Sequence, residues 1–221
     1  MTDRPMFVSE APARRYEAIA VSSESTVVAE FVLEPSGHAA YQSEAELEKE
    51  FIERLKAQAY EYLPITSEAQ LIANLRTQME ALNQITFSNA EWERFFAERV
   101  VSSNDTAEDK TRRIQEDHVQ LLTRDNGTTQ NVKLIDKVHI HNNRLQVINQ
   151  YEIGQGEGGA ARSNRYDVTV LVNGLPLVHI ELKRRGVDIR EAFNQINRYK
   201  RDSFWAGSGL FDYVQVFVIS N

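Results

Sequence analysis

The chain of 221 residues contains no cysteine, which removes disulfide bridges, thiolate nucleophiles and cysteine-ligated zinc together. It also lacks any stretch near the roughly 18 consecutive apolar residues that a membrane-spanning helix requires. The opening MTDRPMFVSE has neither the basic flank nor the apolar core of a signal peptide. An intracellular, cytoplasmic protein without membrane partners is the expectation. There is no G-x-x-x-x-G-K-[ST] phosphate loop, so ATP hydrolysis by this chain is not expected. The segment GQGEGG looks like a nucleotide fingerprint but runs on into a strand pattern, whereas that fingerprint must open a helix. The net charge of −7 argues against a protein that coats nucleic acid. Charge is nevertheless unevenly spread: between Lys183 and Arg201 seven Lys and Arg face only Asp188 and Glu191.

The length suits one substantial domain, taken here as 1–221. Residues 1–42 read as short strand-like pieces such as TVVAEFVLEP. Three helix starts share one grammar, a serine followed three residues later by Glu or Gln: Ser43 with Glu46, Ser67 with Gln70, and Ser88 with Glu91. The last two fall in a helical insertion over about 64–118, where Trp92, Phe95, Phe96 and Val100 recur at helical spacing as packing residues. From about 131 the period shifts towards two, within a core taken as about 128–221. NVKLIDKVHI and RLQVINQYEI read as strands, and YVQVFVISN reads as a buried strand whose abrupt stop suggests a piece of something longer. His139 and His141 alternate, but no third ligand has metal-site spacing, so they read as surface strand histidines.

The densest chemistry lies in RYDVTVLVNGLPLVHIELKRRG, residues 165–186. Val168, Val170, Val172, Val178, Ile180 and Leu182 form one apolar face, while Asp167, Thr169, His179, Glu181 and Lys183 share the other. Opposed residues point the same way, so a two-residue Asn173-Gly174 turn would set Asp167 against Ile180 on the wrong face. A three-residue loop of Asn173, Gly174 and Leu175 instead pairs Val172 with Pro176 and brings Asp167 opposite Glu181, with Pro176 at the first position of its strand. Two carboxylates with Cβ atoms roughly 5 Å apart repel unless a cation lies between them. Oxygen-only ligation of this kind suits Mg²⁺, and Lys183 on the same side can hold water or steady charge developing on a phosphate. An ordinary salt-bridge cluster is the bland alternative.

Asp, then fourteen residues later Glu-x-Lys at the end of an apolar strand, resembles the PD-(D/E)xK nuclease signature, with Tyr166 where that signature has proline. NRYDVTVLVNGLPLVHIELKRRG followed by IREAFNQINRYKRDSF, together with YQSEAELEKEFIERL and LFDYVQVFVISN, is similar to the N-terminal nuclease domain of the motor (R) subunit of type I restriction endonucleases. The likeness covers about 41–221. It implies an α/β fold, a restriction-endonuclease-like core with a central mixed sheet flanked by helices, and Mg²⁺-dependent cleavage of duplex DNA without sequence preference.

By that resemblance Asp167 and Glu181 are metal ligands, Lys183 is the catalytic lysine, and the Gln-x-x-x-Tyr element falls on Gln195 and Tyr199. Related nucleases carry a glutamate on the first helix near the metal, and Glu48 suits that role better than Glu44; a partly exposed helix start would explain it equally well. Arg184, Arg185, Arg198 and Arg201 are candidates for phosphate contacts. The resemblance also implies methyltransferase and specificity subunits as partners, with ATP serving only the motor of the full-length subunit. Two rivals stay open: a repair nuclease of the RecB-like group, and a non-catalytic docking module on a nuclease-like scaffold.

Overall fold

The computed structural model describes residues 43–153, 164–183 and 209–220, and the backbone of two short strands near the N terminus. Two compact units emerge, Met1–Tyr41 and Gln42–Asn221. In the first, β1 (Tyr16–Ala20) and β2 (Val28–Phe31) pair antiparallel, with a register shift between Ala18 and Ala20.

The second unit is α/β. Its elements are α1 (Glu44–Ala57), β3 (Glu61–Tyr62), α2 (Glu68–Asn83), α3 (Asn89–Phe95) running into a π-helical turn at Phe96–Val100, α4 (Ala107–Gln115), β4 (Val119–Thr123), β5 (Thr129–Lys133), β6 (Leu145–Ile153), β7 (Asn164–Val172), β8 (Leu175–Leu182) and β9 (Val216–Ser220). The five-stranded sheet has the order β3-β6-β7-β8-β9. Its outer pairs are parallel and its inner pairs antiparallel, which makes it mixed. None of the described helices is long and apolar enough to cross a membrane.

Each helix starts where a side chain satisfies the orphan N–H groups of its first turn. Ser43, Ser67 and Ser88 form reciprocal capping boxes with Glu46, Gln70 and Glu91. Thr106 does the same with Asp109 and opens α4, a start the serine pattern does not flag. Each face of the sheet then buries an apolar layer. On one, Ile52 and Leu55 of α1 pack on Val147, Val168, Val170, Ile180 and Leu182. On the other, Leu71, Leu75 and Met79 of α2 join Trp92, Phe95, Ile114, Ile148, Leu171 and Phe211.

Three sequence expectations need correction. The β7–β8 connection is the two-residue Asn173-Gly174 turn, with φ 51° and 84°, the positive values that the mirror-image hairpin turns require. Val172 therefore pairs with Leu175 and Leu171 with Pro176, and the strand begins one residue before the proline. A bulge then absorbs Leu177, so that Val170 pairs with Val178 and Val168 with Ile180, and continuing this register places Asp167 across from Glu181. The parity argument reached the right register at the site through the wrong turn, because it allowed no bulge. Pro176, without an N–H, marks where the ladder is cheapest to interrupt.

Second, NVKLIDKVHI is a strand only to Lys133. The Asp136 carboxylate then accepts from the N–H groups of Val138 and His139 and from the Asn142 amide, folding the chain into a loop that leads to a 3-10 turn at Ile140–Asn142. These bonds hold its carboxyl well below the usual carboxylate range. His139 and His141 are therefore exposed on a loop and a 3-10 turn and not on a strand.

Third, β9 is an edge strand with Val216 and Val218 exposed, not a buried one. The face of the β7–β8 hairpin that carries ionisable groups is buried like the apolar one: Thr169, His179 and Glu181 have almost no exposure.

Gly174 also meets α2 closely. A Cβ there would stand 2.6 Å from Leu75 Cα. Gly174→Ala combines that collision with a strained φ, and it should cost about 3 kcal/mol of unfolding free energy in a denaturant titration. A loss below about 1 kcal/mol would mean that α2 slides away freely.

Candidate active site

The site forms where the sheet stops being regular. Along β6 and β7 the register runs without a shift from Leu145↔Val172 to Ile153↔Asn164, except that Gln150 and the residue across from it, Asp167, do not pair. Gln150 has φ 53°, a left-handed conformation uncommon for a residue other than glycine. The alternation of side chains breaks there. Val147 and Val168 belong to the layer under α1, whereas Tyr151 and Tyr166, four and two residues away, belong to the opposite layer. A regular strand would keep each pair on one face.

The break opens the strands around Asp167. The β7–β8 ladder ends at Val168↔Ile180, and the Leu182 N–H donates to Asp167 Oδ2 at 2.9 Å. The carboxylate thus takes a place that a backbone carbonyl holds in an intact ladder. Beyond it β8 follows β9, with the Lys183 N–H donating to the Ser220 carbonyl at 2.7 Å.

Glu181 is fully buried, which is costly for a carboxylate unless its oxygens are satisfied. Lys183 Nζ donates to Oε1 at 2.7 Å. Oε2 has no hydrogen-bond partner among the described residues, and His179 Nε2 stands 3.5 Å from it. His179, which lies between the rings of Tyr166 and Phe217, is a neighbour that the face assignment included without giving it a role.

Asp167 feels the same surroundings. Burial, then the Glu181 charge, push its carboxyl up to about 6, with Glu48 adding to the rise, while the Leu182 N–H and Lys183 oppose it. Three carboxylates therefore converge electrostatically on one place. Glu48 reaches it from α1, half-buried, with both oxygens held: Asn149 Nδ2 donates to Oε1 at 2.6 Å, and Gln150 Nε2 donates to Oε2. Glu44 is exposed. Asn149 and Gln150 are site residues that alternation alone does not reveal, since consecutive strand residues should face apart.

Among the described residues, no group of three His, Asp or Glu side chains has the spacing of a complete metal cage. Two carboxylates with one unsatisfied buried oxygen do fit a cation that keeps most of its water, as Mg²⁺ does. Gln195, Tyr199, Arg184, Arg185, Arg198 and Arg201 lie outside the described residues, as does the GQGEGG segment.

Residues 41–221 match the family described as type I restriction enzyme R protein N terminus. The EcoprrI endonuclease subunit of Escherichia coli is 48% identical over 182 residues, 82% of this chain and 56% of that protein. A type I restriction enzyme endonuclease subunit of Staphylococcus saprophyticus is 39% identical over 186 residues, again 82% of this chain but 19% of its own length. The HindI endonuclease subunit of Haemophilus influenzae is 41% identical over 93 residues, 41% of this chain and 8% of that protein. The chain thus spans about half the length of the first relative and about a fifth of the second. Read with the mixed sheet and the carboxylates at its break, the match over 41–221 establishes that the chain belongs to the type I restriction enzyme R protein N-terminus family.

Proposed function

We propose that this chain is a PD-(D/E)xK endonuclease module that hydrolyses phosphodiester bonds of duplex DNA, using Mg²⁺ held by Asp167 and Glu181 and without sequence preference. The observation that carries the reading is Glu181 Oε2, a fully buried carboxylate oxygen with no hydrogen-bond partner among the described residues, set beside an aspartate whose protonation it favours. A divalent cation bound there would neutralise both acids, lower the pKa of a bound water and polarise the phosphate.

The chain's own groups have separable tasks. Leu182 N–H fixes one oxygen of Asp167, leaving the other for the cation. Lys183 holds Glu181 in the absence of substrate, and its ammonium is the group available to donate to a phosphate oxygen as charge develops there. Glu48 supplies negative charge that favours a cation over two protons. Gln195 and Tyr199 are assigned to orient the attacked phosphate, and Arg184, Arg185, Arg198 and Arg201 to hold the backbone of the duplex without reading bases. Methyltransferase and specificity subunits are the proposed partners, and the cytoplasm is the compartment this substrate requires. ATP belongs to a motor outside this chain.

Nicking of a supercoiled plasmid without target sites tests the reading. Cleavage should require Mg²⁺ and stop with a chelator. Lys183→Met should reduce the rate by about 100-fold or more while leaving Mn²⁺ binding, followed by calorimetry, within a few-fold. If Mn²⁺ does not bind, or Asp167→Ala cleaves normally in an assembled restriction enzyme, the nuclease assignment fails and a docking role takes its place.

A further inference from the structure

The strained Gln150 and the double grip on Glu48 have one geometric origin. Consecutive side chains of a regular strand point to opposite faces, so Asn149 and Gln150 should not reach the same group. They do so here because Gln150, at φ 53°, turns the chain over. Non-glycine residues hold such a conformation only when their surroundings favour it, and such residues cluster at functional positions. Gln150 sits across β6 and β7 from Asp167, between the pairs Asn149↔Val168 and Tyr151↔Tyr166.

The hydrogen bonds have a defined direction. An ionised carboxylate only accepts, so both amides must present nitrogen to Glu48. The Asn149 carbonyl is then turned to Tyr62 of β3, whose hydroxyl donates to Oδ1 at 2.9 Å. A chain of contacts therefore runs from the edge strand through Asn149 to Glu48, and a second runs from the inverted residue itself. Each Glu48 oxygen keeps a lone pair after accepting one amide N–H, so the carboxylate is oriented without being consumed.

We propose that Asn149 and Gln150 form an amide clamp that fixes the Glu48 carboxylate towards Asp167, making both amides positioning residues for the divalent-cation site. This rests on the reading that Asp167 and Glu181 hold the cation. Groups that orient a ligand or charge beside a metal commonly change affinity by about 10–100-fold when removed.

A thermodynamic cycle on the 221-residue chain tests the clamp, with Mn²⁺ affinity read by calorimetry and folding followed by circular dichroism. Asn149→Ala and Gln150→Gly should each weaken Mn²⁺ binding by about tenfold. Gln150→Gly also relieves the positive φ, so its Tm should stay within about 3 °C of the parent, as the strain removed offsets the bond lost. In a Glu48→Gln background the same two substitutions should change affinity by less than about twofold, because the group they position is gone. Undiminished effects in that background would overturn the clamp, since the amides would then act through general folding. Parent-like affinity in both single variants, with binding still abolished by Asp167→Asn, would overturn the clamp and leave the cation site standing. Absence of Mn²⁺ binding by the parent chain would remove the site and the clamp together.

Discussion

Replacing Asp167 by asparagine is expected to stabilise the metal-free chain at pH 8 while reducing cleavage by about 10³-fold or more. Burial and the Glu181 charge raise the folded-state carboxyl from 3.8 to about 6. Between those values the folded chain binds a proton that the unfolded chain releases. The parent is therefore most favoured below the lower value and loses stability as pH rises through the upper one. By pH 7 the penalty approaches about 2 kcal/mol once solvent screening of the partly exposed carboxyl is allowed for. Asparagine has no charge to bury, and its amide oxygen can still accept from the Leu182 N–H, so the variant escapes the loss. Urea titrations at pH 4 and pH 8 measure both limbs. The variant's advantage should be near zero at the acid end and about 2 kcal/mol at the alkaline end. Saturating Mg²⁺ should reverse the order, since a ligand at 100 times its Kd adds about 2.7 kcal/mol to the parent alone. A difference that ignores both pH and Mg²⁺ would mean that Asp167 does not sit beside Glu181's charge.

What the sequence discloses about this site divides along a physical line. Asp167, Glu181 and Lys183 are legible because strand alternation is strict, and an ionisable residue on a strand face stands out against valines. Helix starts are legible for a similar reason: Ser67 and Gln70, or Ser88 and Glu91, satisfy each other within four residues of chain. Departures from regularity are a different matter. Nothing about glutamine announces φ 53° at position 150, where glycine or asparagine would have been the expected residue. The bulge at Leu177 likewise has no signature beyond the neighbouring proline, and without it the hairpin's parity points to the wrong turn. Burial on both faces of β8 depends on α1 over one and helices α2 to α4 over the other, a placement that no local pattern encodes.

The same limit hides a buried ion pair that anchors the helical insertion, and cutting it should have the second large effect. Lys110 of α4 and Asp212, 102 residues away in the 3-10 turn Leu210–Tyr213 that precedes β9, form a 2.7 Å ion pair with side chains only 4% and 5% exposed. Lys110 Nζ also donates to the Gly209 carbonyl at 2.9 Å and lies 5.9 Å from the centre of the Tyr213 ring. Gly209 is the residue that allows this approach: its φ is 73°, and a Cβ would stand 2.8 Å from Nζ.

Asp212 Oδ1 has no hydrogen-bond partner among the described residues, and burial already raises its carboxyl above the usual range against the pull of Lys110. Lys110→Met would leave that carboxylate buried without its cation, a loss of about 3–5 kcal/mol. Lys110→Met combined with Asp212→Leu should recover most of the loss, because two apolar groups carry no desolvation penalty. The single variant should also regain part of its stability on acidification, as protonation removes the stranded charge. Denaturant titrations of the two variants at pH 5 and pH 8 check all three statements. A single variant within about 1 kcal/mol of the parent would show that the insertion is held by its apolar layer alone.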